Sequence, residues 1–171
     1  MRAAVLTVSD RSARGERNDT SGPALRGLLE AHGWTVPHVA IVPDEPALIR
    51  ETLTQWADSG EVDLILTTGG TGLGPRDRTP EATLEILERE APGLAEAIRA
   101  AGLQQTPHAM LSRGVAGTRR AALIINLAGS PRAAREGLEV ILPALPHAIA
   151  LLSGRPEGEA GHRPPRPLGR A

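Results

Sequence analysis

TTGGTGLGPRDRTPEAT, residues 67–83, joins a buried strand to a glycine loop and a helix start. The short apolar run at 62–66 is typical of a strand buried in a sheet, and 67–68 continue it. Four glycines then occur within six positions, at Gly69, Gly70, Gly72 and Gly74. Residues without a Cβ atom can take positive φ and present consecutive N–H groups to an anion. The segment therefore predicts a strand and a phosphate-binding loop, followed by a helix.

Helix signals follow the glycines at once. Thr79 is a favourable N-cap, Pro80 suits the first helical position, and Glu81 adds a favourable charge in the first turn. Asp77 lies between the glycines and this helix, where its carboxylate can reach a bound ligand. Because open α/β sheets bind ligands at the carboxyl ends of their strands, this position favours a binding loop over a glycine turn without a ligand. A Walker A loop is excluded, since the chain has no lysine, and no G-x-G-x-x-G spacing fits.

Composition narrows the class of protein and its chemistry. The 171 residues, 17.9 kDa, suit a single domain, and the net charge of −1 gives no broad basic surface for nucleic acid. The chain has no cysteine, lysine or tyrosine, which excludes thiol and Schiff-base chemistry. No apolar run approaches the roughly 18 residues of a membrane span, and the first residues do not resemble a signal peptide. A cytoplasmic location is the resulting expectation.

Apolar patterning alternates strands with helices, which predicts an α/β fold with three αβα layers and a mostly parallel central sheet. The predicted strands are 3–8, 36–42, 62–66 and 121–127. The predicted helices are 23–32, 47–57, 81–90, 93–101, 131–142 and 143–152, and 9–21 is a polar loop in which Ser21 caps the first helix. We expect residues 1–154 to form a single domain, and 155–171, which lack an apolar face, to be a disordered tail.

Polar residues follow three of the predicted strands. Asp44 comes after the second strand, 69–77 after the third, and Ser130 after the last. Parallel strands bring their carboxyl ends to one edge of a sheet. A single ligand could therefore contact all three segments.

The segment at 67–83, together with AMLSRGVAG at 109–117, resembles the signature of the molybdenum cofactor biosynthesis family of the MogA and MoaB type, which includes the G domain of gephyrin. The resemblance covers most of 1–154. It implies a molybdopterin adenylyltransferase, a nucleotidyltransferase that moves AMP from Mg-ATP to the terminal phosphate of molybdopterin and releases pyrophosphate. The alternative is a non-catalytic molybdopterin-binding or scaffold protein of the MoaB type. The resemblance also implies a homotrimer, and hand-over of product to a molybdenum-inserting enzyme.

The resemblance implies that Asp44 and Asp77 are catalytic and hold Mg²⁺. Since the attacking phosphate oxygen is already ionised near neutral pH, we expect metal positioning from both and not proton transfer. The residues expected to bind molybdopterin and ATP are Ser9, Asp10, Thr68, Gly69, Gly70, Thr71, Gly72, Arg76, Ser112, Arg113, Asn126, Gly129 and Ser130. The chain departs from the family in carrying Ala128 where proline is usual and Ser130 where asparagine or glutamine is common.

Structural roles are open for several of these residues. Asp44 could cap the following helix, and Asp77 could bond to its own loop backbone. Arg76 could be a solvated charge. Ser112 and Arg113 could lie on a solvated loop.

Overall fold

Six strands form one sheet with seven α-helices around it in residues 1–154, the part of the chain that the computed structural model describes. The strands are β1 (Arg2–Val8), β2 (Thr35–Val42), β3 (Leu64–Thr68), β4 (Arg89–Glu90), β5 (Ala116–Arg119) and β6 (Ala122–Leu127). The helices are α1 (Asp10–Ala13), α2 (Ser21–Ala31), α3 (Pro46–Ser59), α4 (Thr79–Leu84), α5 (Pro92–Leu103), α6 (Pro131–Ile141) and α7 (Leu145–Leu152). Short 3₁₀ turns lie at Pro107–Leu111 and Leu142–Ala144.

The strand order in the sheet is β2-β1-β3-β6-β5-β4. The first four of these strands are parallel to one another, and β5 and β4 add an antiparallel edge. The predicted, mostly parallel sheet is therefore confirmed.

Two apolar cores lie on opposite faces of the sheet, because successive strand residues point to opposite sides. On β3, Leu64 and Leu66 belong to one core and Ile65 to the other. The first core also takes side chains from α2, α6 and α7, and the second from α3 and α4. Each fully buried leucine or isoleucine contributes roughly 1.5–3 kcal/mol of burial free energy. Helices thus cover both faces, which confirms the three-layer αβα arrangement.

The predicted helix 81–90 is wrong in its second half. α4 ends at Leu84, and Arg89–Glu90 forms β4 instead. The N–H of Glu88 donates to the Thr118 carbonyl oxygen (2.8 Å), so this segment joins the sheet through β5. β5 itself was not predicted, because its sequence AGTR has no apolar run and is held as a strand by pairing with β6.

The ends of several helices also differ from prediction. The predicted loop 9–21 contains α1, and α2 begins at Ser21, with the Asp19 carboxylate and not Ser21 accepting the N–H bonds of its first turn (3.0 Å each). Thr79 is the first residue of α4 instead of its N-cap, which is Arg78. No helix within residues 1–154 is long and apolar enough to cross a membrane. The tail predicted at 155–171 lies outside the described residues.

Candidate active site at the carboxyl edge of the sheet

The four parallel strands end side by side. β1 pairs with β2 as far as Val8 and Val42, and Thr68 of β3 pairs with Leu127 of β6. The strand order reverses between β1 and β3. From β1 the chain passes through α2 to β2 at the edge of the sheet, and it then returns through α3 to β3 on the other side of β1. The helices α2 and α3 therefore lie on opposite faces of the sheet. Such a switch point leaves a crevice outside the carboxyl ends of the two strands. The predicted polar segments after β1, β2, β3 and β6 all lie at this crevice.

The glycine loop after β3 uses backbone conformations and close contacts that only glycine allows. Gly69 has φ +100° and Gly70 has φ +63°, both in the left-handed region. A Cβ atom on Gly69 would collide with the Val8 carbonyl oxygen. A Cβ atom on Gly70 would collide with Thr79 Oγ1 and lie 3.1 Å from Asp44 Oδ1. The loop is thus packed closely against its neighbours, and Gly69 and Gly70 line the crevice.

Asp77 folds back onto the loop. Its Oδ2 accepts a hydrogen bond from the N–H of Gly74 (2.8 Å), and a Cβ atom on Gly72 would lie 2.9 Å from the same oxygen. Asp77 therefore does bond to its own loop backbone, through one carboxylate oxygen. The carboxylate also lines the crevice, where it contributes to the negative charge around Asp44.

Asp44 exchanges hydrogen bonds with Asp10. The N–H of Asp10 donates to Asp44 Oδ2 (2.8 Å), and the N–H of Asp44 donates to Asp10 Oδ1 (3.1 Å). The capping role is not seen, since α3 has Glu45 at its N-cap and no side-chain cap bond. Burial raises the pKa of the Asp44 carboxyl, and the negative charges of Asp10 and Asp77 raise it further. The hydrogen bond from the Asp10 N–H acts in the opposite direction and lowers it, but the net change is upward. A cation beside these groups would relieve that repulsion.

Arg76 is engaged by carboxylates. It donates two hydrogen bonds to Asp10 (3.0 Å each) and one to Glu45 (2.7 Å), which lowers the pKa of the Asp10 carboxyl. Arg76 is therefore ion-paired, although 53% of its side chain stays exposed to solvent. It links the glycine loop to the segments after β1 and β2.

Arg113 holds the glycine loop from the opposite side. Its guanidinium donates to the carbonyl oxygens of Gly72 (2.7 Å) and Asp77 (2.6 Å) and forms an ion pair with Glu81 of α4. The backbone N–H of Arg113 donates to the Thr71 carbonyl oxygen (2.9 Å). The solvated-loop role is not seen for Arg113, whose donors fix the shape of the loop.

Asn126 and Thr68 make hydrogen bonds within the domain that connect the strands ending at the site. The amide of Asn126, 3% exposed, donates to Oγ1 of Thr67 and of Thr83 (3.0 Å each), and its Oδ1 accepts from the Val115 N–H (3.2 Å). Thr68 Oγ1 donates to the Ala128 carbonyl oxygen (2.7 Å). These side chains tie β3 to α4 and to the turn after β6. They position the edge of the crevice through internal bonds.

Two cavities meet at this edge. The smaller, about 560 Å³, is lined mainly by polar groups, among them Ser9, Asp10 and Asp44. The larger, about 850 Å³, lies between the glycine loop and helices α5 and α6 and is mainly apolar. Ser112 and Ala128 line it. Both cavities include four residues in common: Gly70, Asp77, Gly129 and Ser130.

Sequence reasoning missed much of both cavities. The larger is walled by Ile98 and Arg99 of α5 and by Val140 of α6, which read as ordinary amphipathic helix positions. The smaller includes Arg11 and Arg17, inside the segment predicted to be a polar loop. Three arginines within seven residues, at 11, 14 and 17, were the sequence signal that could have indicated an anion-binding segment there. Ser130, which the sequence predicts to contact a ligand, lines both cavities and also caps α6 by accepting from the Ala133 N–H (3.2 Å).

Asp44 and Asp77 supply the type of oxygen donor that a magnesium ion prefers. Mg²⁺ prefers oxygen ligands and is usually bound by one or two carboxylates with substrate phosphates and water. Both carboxylates line the smaller cavity, and Asp44 is partly desolvated among like charges. Within residues 1–154 no group of three or more histidine, cysteine, aspartate or glutamate side chains could hold a metal ion. An ion at Asp44 and Asp77 would thus need substrate oxygens as further ligands.

A three-layer αβα domain with a glycine loop and two carboxylates at its switch point belongs to the class that binds phosphate-bearing small molecules. The chain belongs to the family described as a probable molybdopterin binding domain, whose model matches residues 4–147. The family expected from the sequence is confirmed.

Individual relatives agree with this assignment. The molybdopterin adenylyltransferase of Helicobacter pylori strain J99 is 42% identical over 152 residues, covering 88% of this chain and 86% of that protein. The molybdenum cofactor synthesis protein cinnamon of Drosophila melanogaster is 46% identical over 149 residues, 86% of this chain, which spans only 25% of that protein. The molybdopterin biosynthesis enzyme MoaB from Thermus thermophilus, known from a crystal structure, is 57% identical in sequence to this chain. The two structures superpose with a TM-score of 0.85 over 91% of this chain and 98% of that one.

Proposed function

We propose that this protein is a molybdopterin adenylyltransferase that transfers AMP from Mg-ATP to the terminal phosphate of molybdopterin. The observation that supports this most directly is the meeting of two cavities of different chemistry at Gly70 and Asp77. The larger, mainly apolar cavity suits a flat pterin, and the smaller polar one suits a nucleotide. The activity named for the Helicobacter relative, 42% identical over 152 residues, supports the same conclusion.

The shared edge of the cavities is where the two substrates would react. An oxygen of the pterin's terminal phosphate forms a bond to the α-phosphorus of ATP, and the bond from that phosphorus to the oxygen bridging to the β-phosphate breaks. Pyrophosphate carries away the bonding electrons. The attacking oxygen is already ionised, so the chain needs no strong general base; the barrier comes from repulsion between two polyanions.

The residues of the chain would act by binding and orientation. Loop N–H groups from Gly70 onward would hydrogen-bond the α-phosphate, since the Gly69 N–H already donates to the Leu127 carbonyl oxygen (3.4 Å). The bonds of Arg113 to the loop carbonyls would hold the loop in position. Arg76 would keep Asp10 and Asp44 in their reciprocal arrangement. Asp44 and Asp77 would hold Mg²⁺, which when bound neutralises phosphate charge and orients the reacting groups.

The remaining predicted contacts fall to the two cavities. Ser9 and Asp10 lie in the polar cavity and are proposed to contact the nucleotide, with Thr68 and Thr71 shaping the loop beside it. Ser112 and Ser130 lie in the larger cavity and are proposed to contact the pterin. A cytoplasmic location, a homotrimer and hand-over of product to a molybdenum-inserting enzyme belong to the same proposal and rest on the family resemblance.

The decisive experiment measures pyrophosphate release from ATP with molybdopterin and Mg²⁺. We expect release by the unmodified protein, a loss of about 100-fold or more in Asp77→Asn, and no loss in the control Asp58→Asn, whose carboxylate pairs with Arg119 outside both cavities. Pterin binding by Asp77→Asn should persist. If the unmodified protein binds pterin but releases no pyrophosphate, the non-catalytic pterin-binding or scaffold role replaces this proposal.

A further inference from the structure

An arginine-rich segment after β1 forms one wall of the smaller cavity. Arg11 lies on α1, and Arg14 and Arg17 lie on either side of a turn in which Gly15 has φ +72°. All three line the cavity that also contains Asp44, Gly69 and Gly70. The segment and the glycine loop therefore line the same cavity, the one proposed for the nucleotide.

The cations of this wall differ from the other arginines of the site in what they bind. Arg76 and Arg113 are occupied by carboxylates and loop carbonyls, as described above, and Arg14 forms an ion pair with Glu16 (2.7 Å). Within residues 1–154, the guanidinium groups of Arg11 and Arg17 make no hydrogen bond or ion pair, and both side chains belong to exposed residues. They are the arginines of the smaller cavity still available to a ligand.

The carboxylates of the same cavity do not neutralise them. Asp10 is bound by Arg76, and Asp19 accepts from Thr7 Oγ1 (2.7 Å) and from the first N–H groups of α2. Arg11 has only a Coulombic interaction with Glu16. In the described residues, Arg11 and Arg17 thus lie in the same cavity as Asp10 and Asp19 without being paired to either carboxylate.

The geometry of the reaction places a polyanion at this wall. In-line displacement puts the attacking and leaving oxygens on opposite sides of the phosphorus. If the attacking phosphate comes from the larger cavity and the α-phosphate lies at Gly70 and Asp77, the leaving group points away from the larger cavity. That direction leads into the smaller cavity, toward residues 11–17. The glycine loop has no lysine to compensate this charge.

We propose that Arg11 and Arg17 bind the β- and γ-phosphates of ATP and then the departing pyrophosphate. This assignment rests on the proposed adenylyltransferase function and adds residues that neither the glycine motif nor the carboxylates identify. Guanidinium groups suit the role, because their donors match phosphate oxygens in pairs and stay charged at every working pH.

The test compares ATP with AMP by calorimetry in Mg²⁺ buffer without molybdopterin. Arg11→Gln/Arg17→Gln should weaken ATP and pyrophosphate binding by about tenfold or more, since two exposed charge pairs are lost, and leave AMP binding within about twofold. Arg26→Gln is the control, because Arg26 is an exposed arginine paired with Glu30 and lines neither cavity. It should bind all three ligands like the unmodified protein.

The outcomes separate this proposal from the one on which it rests. Unchanged ATP affinity in the double variant, or an equal loss for ATP and AMP, would overturn the phosphate-binding role while the transferase function stands. An unmodified protein that binds neither ATP nor pyrophosphate, and that releases no pyrophosphate from ATP with molybdopterin, would overturn both.

Discussion

Replacing Gly70 by alanine tests whether the loop is held by close contact or only by its backbone conformation. Gly60 provides a matched control, because it has φ +70° against +63° at Gly70 but no atom within 4 Å of an added Cβ. An L-residue in the left-handed region costs about 1–2 kcal/mol, part of which is offset by the stiffer unfolded chain. Gly60→Ala should therefore lower the free energy of unfolding by about 1 kcal/mol.

Gly70→Ala carries the same conformational cost and an added steric one. Its Cβ would collide with Thr79 Oγ1, on a residue that is fully buried, and would crowd Asp44 Oδ1 at 3.1 Å. Overpacking of this kind costs about 1–3 kcal/mol, so we expect about 3 kcal/mol in total. At roughly 2–4 °C per kcal/mol for a chain of this size, Tm should fall by about 6–12 °C, against about 2–4 °C for Gly60→Ala.

Calorimetric melting of the two variants gives the comparison, with ATP binding as the second measurement. Gly70→Ala should also lose ATP binding, while Gly60→Ala, at the end of α3, should retain it. Equal falls in Tm for the two variants would refute the close-contact argument. Normal ATP binding by Gly70→Ala would refute the role of the loop as a phosphate cradle.

Three further predictions concern single side chains. Asn126→Leu leaves two buried threonine hydroxyls without their amide partner, and urea titration should show a loss of about 2–4 kcal/mol. Arg113→Met removes two hydrogen bonds to loop carbonyls, and amide exchange in 70–77 should become at least about tenfold faster with α2 unaffected. Burial raises the pKa of the Asp44 carboxyl in the folded protein, and the charges of Asp10 and Asp77 raise it further. Because the unfolded chain ionises this carboxyl at about pH 4, the free energy of unfolding of the metal-free protein should fall as pH rises above that value. Metal-free Asp44→Asn should thus melt higher than the unmodified protein at pH 7, equally at pH 3, and lack transferase activity.

Local signals in the sequence were enough to predict the centre of the fold. β3, the glycine loop and α4 follow one another within a few residues, and each is specified by its own apolar run, glycines or helix-start residues. β4 was missed because it is a strand only through pairing with a distant segment, Arg89 with Thr118. β5 was missed because its short sequence is a strand only through the hairpin that joins it to β6. Short segments that become strands only by pairing leave no periodic apolar pattern to detect.

The sequence indicates the residue types of the candidate site but not the contacts among them. The sequence indicates a cation next to the glycines, but it does not indicate that Glu81 and the loop carbonyls occupy Arg113, or that Asp10 and Glu45 occupy Arg76. Which arginines remain available depends on partners up to 66 residues away. The available pair, Arg11 and Arg17, was therefore visible only in the folded chain.

The two tryptophans lie on opposite faces of the sheet. Trp34, 4% exposed, belongs to the core under α2, and Trp56, 9% exposed, to the core under α3, where it stacks on His38 with ring centroids 5.7 Å apart. Since the chain has no tyrosine or phenylalanine, its intrinsic fluorescence comes from these two side chains alone. A variant keeping only one of them reports on one side of the molecule. Coincident denaturation curves from the two single-tryptophan variants would then mean that both cores melt as one cooperative unit.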